Sequence, residues 1–165
     1  MKQHLKTIFA LTLVTISFGL RSHFVSGNPC ISTIRLTNTK FSINEPILVF
    51  YDIQNISKDT VTIWHSGFWP NNKIVATDSN NIEVPRTEWG KMTLSAFSPG
   101  GPRLKNYPVR LAPGEIDSAY EKYDLQYHFI FEKGGVYNVT YYYHEMQSKA
   151  EIKVQSNTVK IQIRN

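Results

Sequence analysis

The sequence predicts an all-β domain, a two-sheet sandwich of about seven to nine strands preceded by a signal peptide. Three observations carry that reading. Short runs rich in Val, Ile, Thr, Tyr and Trp alternate apolar with polar residues, the period of a strand with one buried face. Clusters of Asn, Gly, Pro, Asp and Ser interrupt these runs roughly every eight to twelve residues. No stretch beyond the N-terminus sustains the 3.6-residue period of a long helix.

The N-terminus sets what remains to fold. Lys2 and Lys6 form a positive start, residues 8–20 are uncharged and mostly apolar, and Val25-Ser26-Gly27 offers small residues for cleavage. The apolar run falls short of the roughly 20 residues that span a bilayer as a helix. Residues 1–27 are therefore expected to be a cleaved signal peptide and residues 28–165 one domain, secreted or periplasmic, with no membrane span. The chain carries a formal charge of +5, and losing Lys2, Lys6 and Arg21 with no acid among them leaves +2. That balance is too mild to argue for nucleic acid. Cys30 is the only cysteine, so no intrachain disulfide forms, and it reads as an unpaired thiol on a flexible arm.

Residues 31–37 read as a first strand, with Ile34 and Leu36 on one face. In residues 47–55 the odd positions Ile47, Val49, Tyr51 and Ile53 stay apolar, the pattern of a half-buried strand. Asn55 to Asp59 reads as a hairpin turn, with residues 60–65 pairing back. A second hairpin is expected from residues 73–77 and 82–84 around Asp78-Ser79-Asn80-Asn81. Residues 91–97 read as a further short strand, and residues 98–102, with two prolines and two glycines, as loop. Residues 104–111 lead into the stretch around which the chain is organised, residues 111–144.

That stretch opens on Leu111-Ala112-Pro113-Gly114-Glu115, a type II turn in which proline presets φ and Gly114 takes the positive φ. Residues 117–127 could carry one turn of helix. Gly134-Gly135 then precede Val136-Tyr137-Asn138-Val139 and Tyr141-Tyr142-Tyr143. Val139, Tyr141 and Tyr143 share the core face, leaving Tyr142 outside. Ser156-Asn157 interrupts the alternation of the last strands and shifts its phase, as a bulge or sheet-switching bend does.

A tyrosine just after a glycine bend, as at Gly135-Val136-Tyr137, resembles the tyrosine corner of immunoglobulin-like sandwiches. Val139 stands where those domains place a core cysteine, so the resemblance is to a disulfide-free relative. Asn44-Glu45-Pro46-Ile47, Asn55-Ile56-Ser57, Glu83-Val84-Pro85 with Trp89-Gly90, the Pro113-Gly114 turn and Ser156-Asn157-Thr158-Val159 extend the resemblance. Together they are similar to bacterial exported immunoglobulin/fibronectin-III-like domains. More distantly, they resemble the intracellular proteinase inhibitor family and the N-terminal region of deuterolysin-type metallopeptidases. What the resemblance implies is a scaffold, with Pro113, Gly114, Gly135 and Tyr137 as its structural residues.

Catalytic chemistry finds little purchase. His144-Glu145-Met146-Gln147-Ser148 lacks the second histidine of a zinc peptidase motif. His65 and His128 have no acid or cysteine at ligand spacing, and read as surface or core-edge residues. No Gly-x-Ser-x-Gly elbow or phosphate loop occurs. The acids Glu115, Asp117, Glu121, Asp124 and Glu132 fit no calcium loop and read as a solvated face. Asn55-Ile56-Ser57 and Asn138-Val139-Thr140 are glycosylation sequons. The better lead is aromatic: Phe68, Trp69 and Trp89 form a candidate binding patch able to stack on a sugar or anchor a protein, with Trp64 and Trp89 also readable as scaffold. The expectation is an exported monomeric binding or accessory module, not an enzyme, with no cofactor or metal and an unidentified protein or carbohydrate partner. The alternative is a protease inhibitor acting through residues 98–103.

Overall fold

The computed structural model describes residues 27–65, 71–96, 107–118, 123–145 and 152–165. Among them the chain is mostly strand, with one α-helix. The described residues form ten strands rather than seven to nine, because β2 (Lys40–Ser42), β7 (Ile116–Ser118) and β8 (Tyr123–Asp124) are pieces of three residues or fewer.

Two ladders face each other. In the first, β1 (Cys30–Leu36) runs antiparallel to β3 (Leu48–Asn55), with Cys30 opposite Asn55 and Leu36 opposite Val49. The far edge of β3 takes β7 and β8. In the second, β9 (Gly135–His144) lies between β5 (Asn72–Thr77) and β10 (Lys153–Arg164), antiparallel to both, and β2 joins the end of β10 in parallel. A ribbon of β4 (Val61–His65) and β6 (Tyr107–Leu111) adds Ile63 and Leu111 to the core. The apolar alternation of β3 and β9 puts Ile47, Val49, Tyr51 and Ile53 against Val139, Tyr141 and Tyr143, all buried. Tyr51 and Tyr141 stack across the two ladders at 4.3 Å between ring centroids, a geometry that adds to their area burial.

The ladders are joined at one point. Ser32 of β1 pairs in parallel with Ser156 of β10, where the register of β10 against β9 shifts between Gln155 and Thr158. The shift leaves backbone groups that side chains then satisfy. Asn157 accepts from the N–H of Ile34 through Oδ1 at 2.9 Å and donates to its carbonyl through Nδ2 at 3.2 Å. Ser156 Oγ accepts from the N–H of Tyr141 at 2.9 Å. Two polar side chains thus replace ladder bonds that a regular strand would make.

Several sequence expectations are corrected. Residues 55–65 are not a hairpin: β4 pairs with β6, because β3 already has partners on both edges. Asn55 is fully buried, and its amide donates to the carbonyls of Asp59 and Leu111 at 2.7 and 2.9 Å. It therefore steers the chain toward the ribbon, and its nitrogen is unavailable as a glycosylation acceptor. The second arm of the hairpin after β5 is a single bridge, Thr77 to Glu83, ended by Pro85. The strand expected over residues 91–97 is replaced through residue 96 by α1 (Glu88–Ala96), and residue 97 lies outside the described residues. Thr87 caps it, accepting from Gly90 N through Oγ1 at 2.9 Å. The helical turn in residues 117–127 is a 3-10 turn, Leu125–Tyr127, capped by Asp124. Cys30 is no flexible arm: it opens β1 and is 2% exposed, and burial pushes its thiol up to about 11.

At the Pro113-Gly114 turn, Gly114 has φ of 81° and the N–H of Glu115 bonds the carbonyl of Ala112 at 3.0 Å. Where the chain enters β9, Tyr137 is buried edge-on to Phe131, and its hydroxyl donates to the carbonyl of Lys133 at 2.8 Å. A Cβ on Gly134 would stand 2.8 Å from Asn165 Oδ1, whereas one on Gly135 would meet only the Tyr137 ring at 3.8 Å. The tight approach at this bend is therefore at Gly134.

Tyr137→Phe keeps the ring and removes one hydrogen bond, so denaturant unfolding should lose about 0.5–1.5 kcal/mol. Tyr142→Phe, on the outward face, should change stability little. Asn157→Ala should cost more, about 1–3 kcal/mol for each backbone group of Ile34 left buried and unpaired, and Asn157→Asp should recover only the acceptor half.

Candidate functional site

The described residues place one site predicted from sequence, Trp89, on the first turn of α1. Phe68 and Trp69 lie outside the described residues, as do residues 98–103 of the inhibitor reading. Trp89 is 51% exposed, and Trp64 on β4 is partly buried.

The helix is held by the segment that follows the 3-10 turn. Residues 85–91 run alongside residues 127–130, bonded Thr87 N to His128 O at 3.1 Å, Thr87 Oγ1 to Tyr127 O at 2.5 Å and Ile130 N to Pro85 O at 2.8 Å. A single bridge pairs Arg86 with Phe129. Gly90 permits this closeness, since a Cβ there would stand 2.1 Å from the His128 carbonyl oxygen. Arg86 fastens the near end. Its guanidinium lies 4.6 Å over the Phe129 ring, bonds the Ile74 carbonyl at 2.8 Å and pairs with Glu83 at 2.7 Å.

Pinning the helix in this way leaves four large apolar side chains outside. Trp89 and Met92 stand one turn apart on α1, and Tyr127 and Ile130 flank the buried pair His128 and Phe129. Tyr127 closes the 3-10 turn and His128 follows in the αR region, so the adjacent His128 and Phe129 both turn inward while the residues on either side stay outside. Sequence reasoning missed Met92, Tyr127 and Ile130. The signal for Met92 was its three-residue spacing from Trp89, hidden by reading the stretch as a strand.

Beneath the patch, the His128 ring stacks on Tyr123 at 4.2 Å, and its Nδ1 lies 3.4 Å from Thr93 Oγ1. Thr93 in turn donates to the Gly90 carbonyl at 3.0 Å. Burial, with the nearby charge of Arg86, pulls the His128 pKa down from 6.5 to about 4. The imidazole therefore packs as a neutral ring at the helix base. Among the described residues, no group of three His, Cys, Asp or Glu side chains is arranged to hold a metal ion. Two acids of the organising stretch serve turns. Asp124 accepts from Ile47 N and Gln126 N, both at 3.0 Å, and Glu115 accepts from Ala112 N at 2.8 Å. Among the described residues, no helix is long and apolar enough to cross a membrane.

No family model and no curated protein matches this chain. Among solved structures it is similar to the CARDB domain of the PF1109 protein from Pyrococcus furiosus, determined in complex with di-metal ions. The two share 12% identity over 82% of this chain and 93% of that one, with a TM-score of 0.39. These findings lend no support to the likeness to proteinase inhibitors or deuterolysin-type peptidases.

The neutral His128 makes the helix mount sensitive to acid. Its folded pKa lies below its unfolded one, so its contribution is complete above about pH 6.5 and is lost as pH falls toward about 4. That loss amounts to at most about 3 kcal/mol. Denaturation midpoints across this window should fall in the wild type and fall less in His128→Phe, which keeps a ring against Tyr123.

Proposed function

We propose that this chain is an exported immunoglobulin-like module that acts by binding a protein partner rather than by catalysis. The observation that carries the reading is the exposed Trp89 and Met92 on a helix clamped to the core, together with the exposed Tyr127 and Ile130 on the segment that clamps it. A tryptophan on a helix whose backbone is already fixed needs little further ordering of the chain on docking, and Trp and Tyr are enriched among the residues that carry interface energy. The sandwich assignment is supported by two facing ladders and the tyrosine hydroxyl bonded to backbone at the entry to β9. Export is supported by the positive start and short apolar run of residues 1–27.

The test uses the secreted chain as bait in affinity capture, with its intact mass measured beforehand and expected to begin near Asn28. Trp89→Ala combined with Met92→Ala should weaken partner capture by roughly tenfold or more. The unfolding midpoint should hardly move, as surface substitutions usually stay within about 0.5 kcal/mol. Undiminished capture by the folded double variant would remove the patch from the interface.

A further inference from the structure

The outer face of the ladder formed by β5, β9 and β10 is not flat. A groove of about 530 Å³ opens on it, lined by Lys73 and Val75 of β5, Tyr142 and His144 of β9, and Lys153 and Gln155 of β10. All six sit at the outward, less buried positions of their strands. Register fixes their arrangement. Lys73, Tyr142 and Gln155 lie opposite one another across three strands, and Lys153 faces His144 in the neighbouring outward row. With strands about 4.8 Å apart and a two-residue step of about 6.8 Å, the Cα atoms of the two lysines are roughly 12 Å apart, on either flank of Tyr142. Among the described residues the groove is lined by two lysines and by no carboxylate.

We propose that this groove binds a sugar acid, a uronate unit of an acidic oligosaccharide. The C–H face of a pyranose packs on an aromatic ring, and Tyr142 supplies one in the middle of the groove. The Gln155 carboxamide and the His144 imidazole each combine donor and acceptor capacity, which suits ring hydroxyls. The Lys73 ammonium meets the carboxylate in a charge-assisted hydrogen bond. The volume lies within the roughly 300–1,000 Å³ of small-ligand sites. A phosphate or an acidic peptide offers the charge without the ring face, and a neutral sugar offers the ring without the charge. This site is separate from the α1 patch: it shares no residue with it and does not depend on it.

Calorimetric titration of the protein with tetragalacturonate, cellotetraose, tetraglutamate and inorganic phosphate tests the assignment. Tetragalacturonate should saturate one site, with the other three at least about tenfold weaker. Lys73→Ala and Tyr142→Ala should each weaken tetragalacturonate roughly tenfold, the loss of one charge-assisted bond or one stacking face, and Lys73→Arg should restore most of it. Absence of tetragalacturonate binding, equal affinity for tetraglutamate or phosphate, or unchanged affinity in folded Lys73→Ala overturns the proposal. Thermal melts verify the fold of each variant, and if Tyr142→Ala does not fold, Lys73→Ala against Lys73→Arg decides alone.

Discussion

The carboxamide of Asn157 bonds both backbone polar groups of Ile34, and the rest of the fold depends on that junction. A register shift in β10 frees strand groups that would otherwise lie buried and unpaired, and such groups are expensive away from water. Asn157 and Ser156 satisfy them, so β1 meets β10 while β9 keeps its own ladder with β10 on both sides of the shift. The two ladders are consequently one hydrogen-bonded path folded over on itself, with its inner faces closed around Tyr51 and Tyr141.

An aromatic core of this kind needs polar outlets. Tyr141 is fully buried, and its hydroxyl donates to Asn72 Oδ1. Tyr143 accepts from Trp64 N at 3.0 Å and lies 3.4 Å from Glu145 Oε2, so one phenol ties the ribbon strand β4 to the end of β9. Tyr137 does the same at the other end of that strand through Lys133. Three inward tyrosines on β9 thus spread packing along the whole strand, while each phenol tip also holds a loop or strand end. This is why an aromatic strand can sit in the core without leaving its hydroxyls unpaired.

The two candidate surfaces differ in physical character. The α1 patch is apolar and exists because Gly90 lets a helix lie against the His128 carbonyl, leaving no space for its larger side chains underneath. The groove over β9 is mixed, with a phenol between basic side chains, and owes its shape to strand register alone. The first suits a protein surface that can exclude water; the second suits a small ring that carries charge.

Much of the scaffold was legible in the chain itself. Period-two alternation determined which side of β3 and β9 is inside, because successive strand side chains point to opposite faces whatever they pack against. The Pro113-Gly114 turn and the break at Ser156-Asn157 were equally local, since a positive φ or a run of turn formers acts within a few residues. Tertiary structure decided the rest. Whether residues 60–65 pair with β3 depended on edges already taken by β1, β7 and β8, which no local pattern reveals. Residues 88–96 became a helix because Thr87 caps it and the surface formed by residues 127–130 receives it at Gly90, outweighing weak β propensity. Cys30 became core only because β1 begins at that residue. The patch draws on α1 and on residues 127–130, and the groove on β5 together with β9 and β10, and the meeting of these segments is set by helix docking and strand pairing, not by any spacing along the chain.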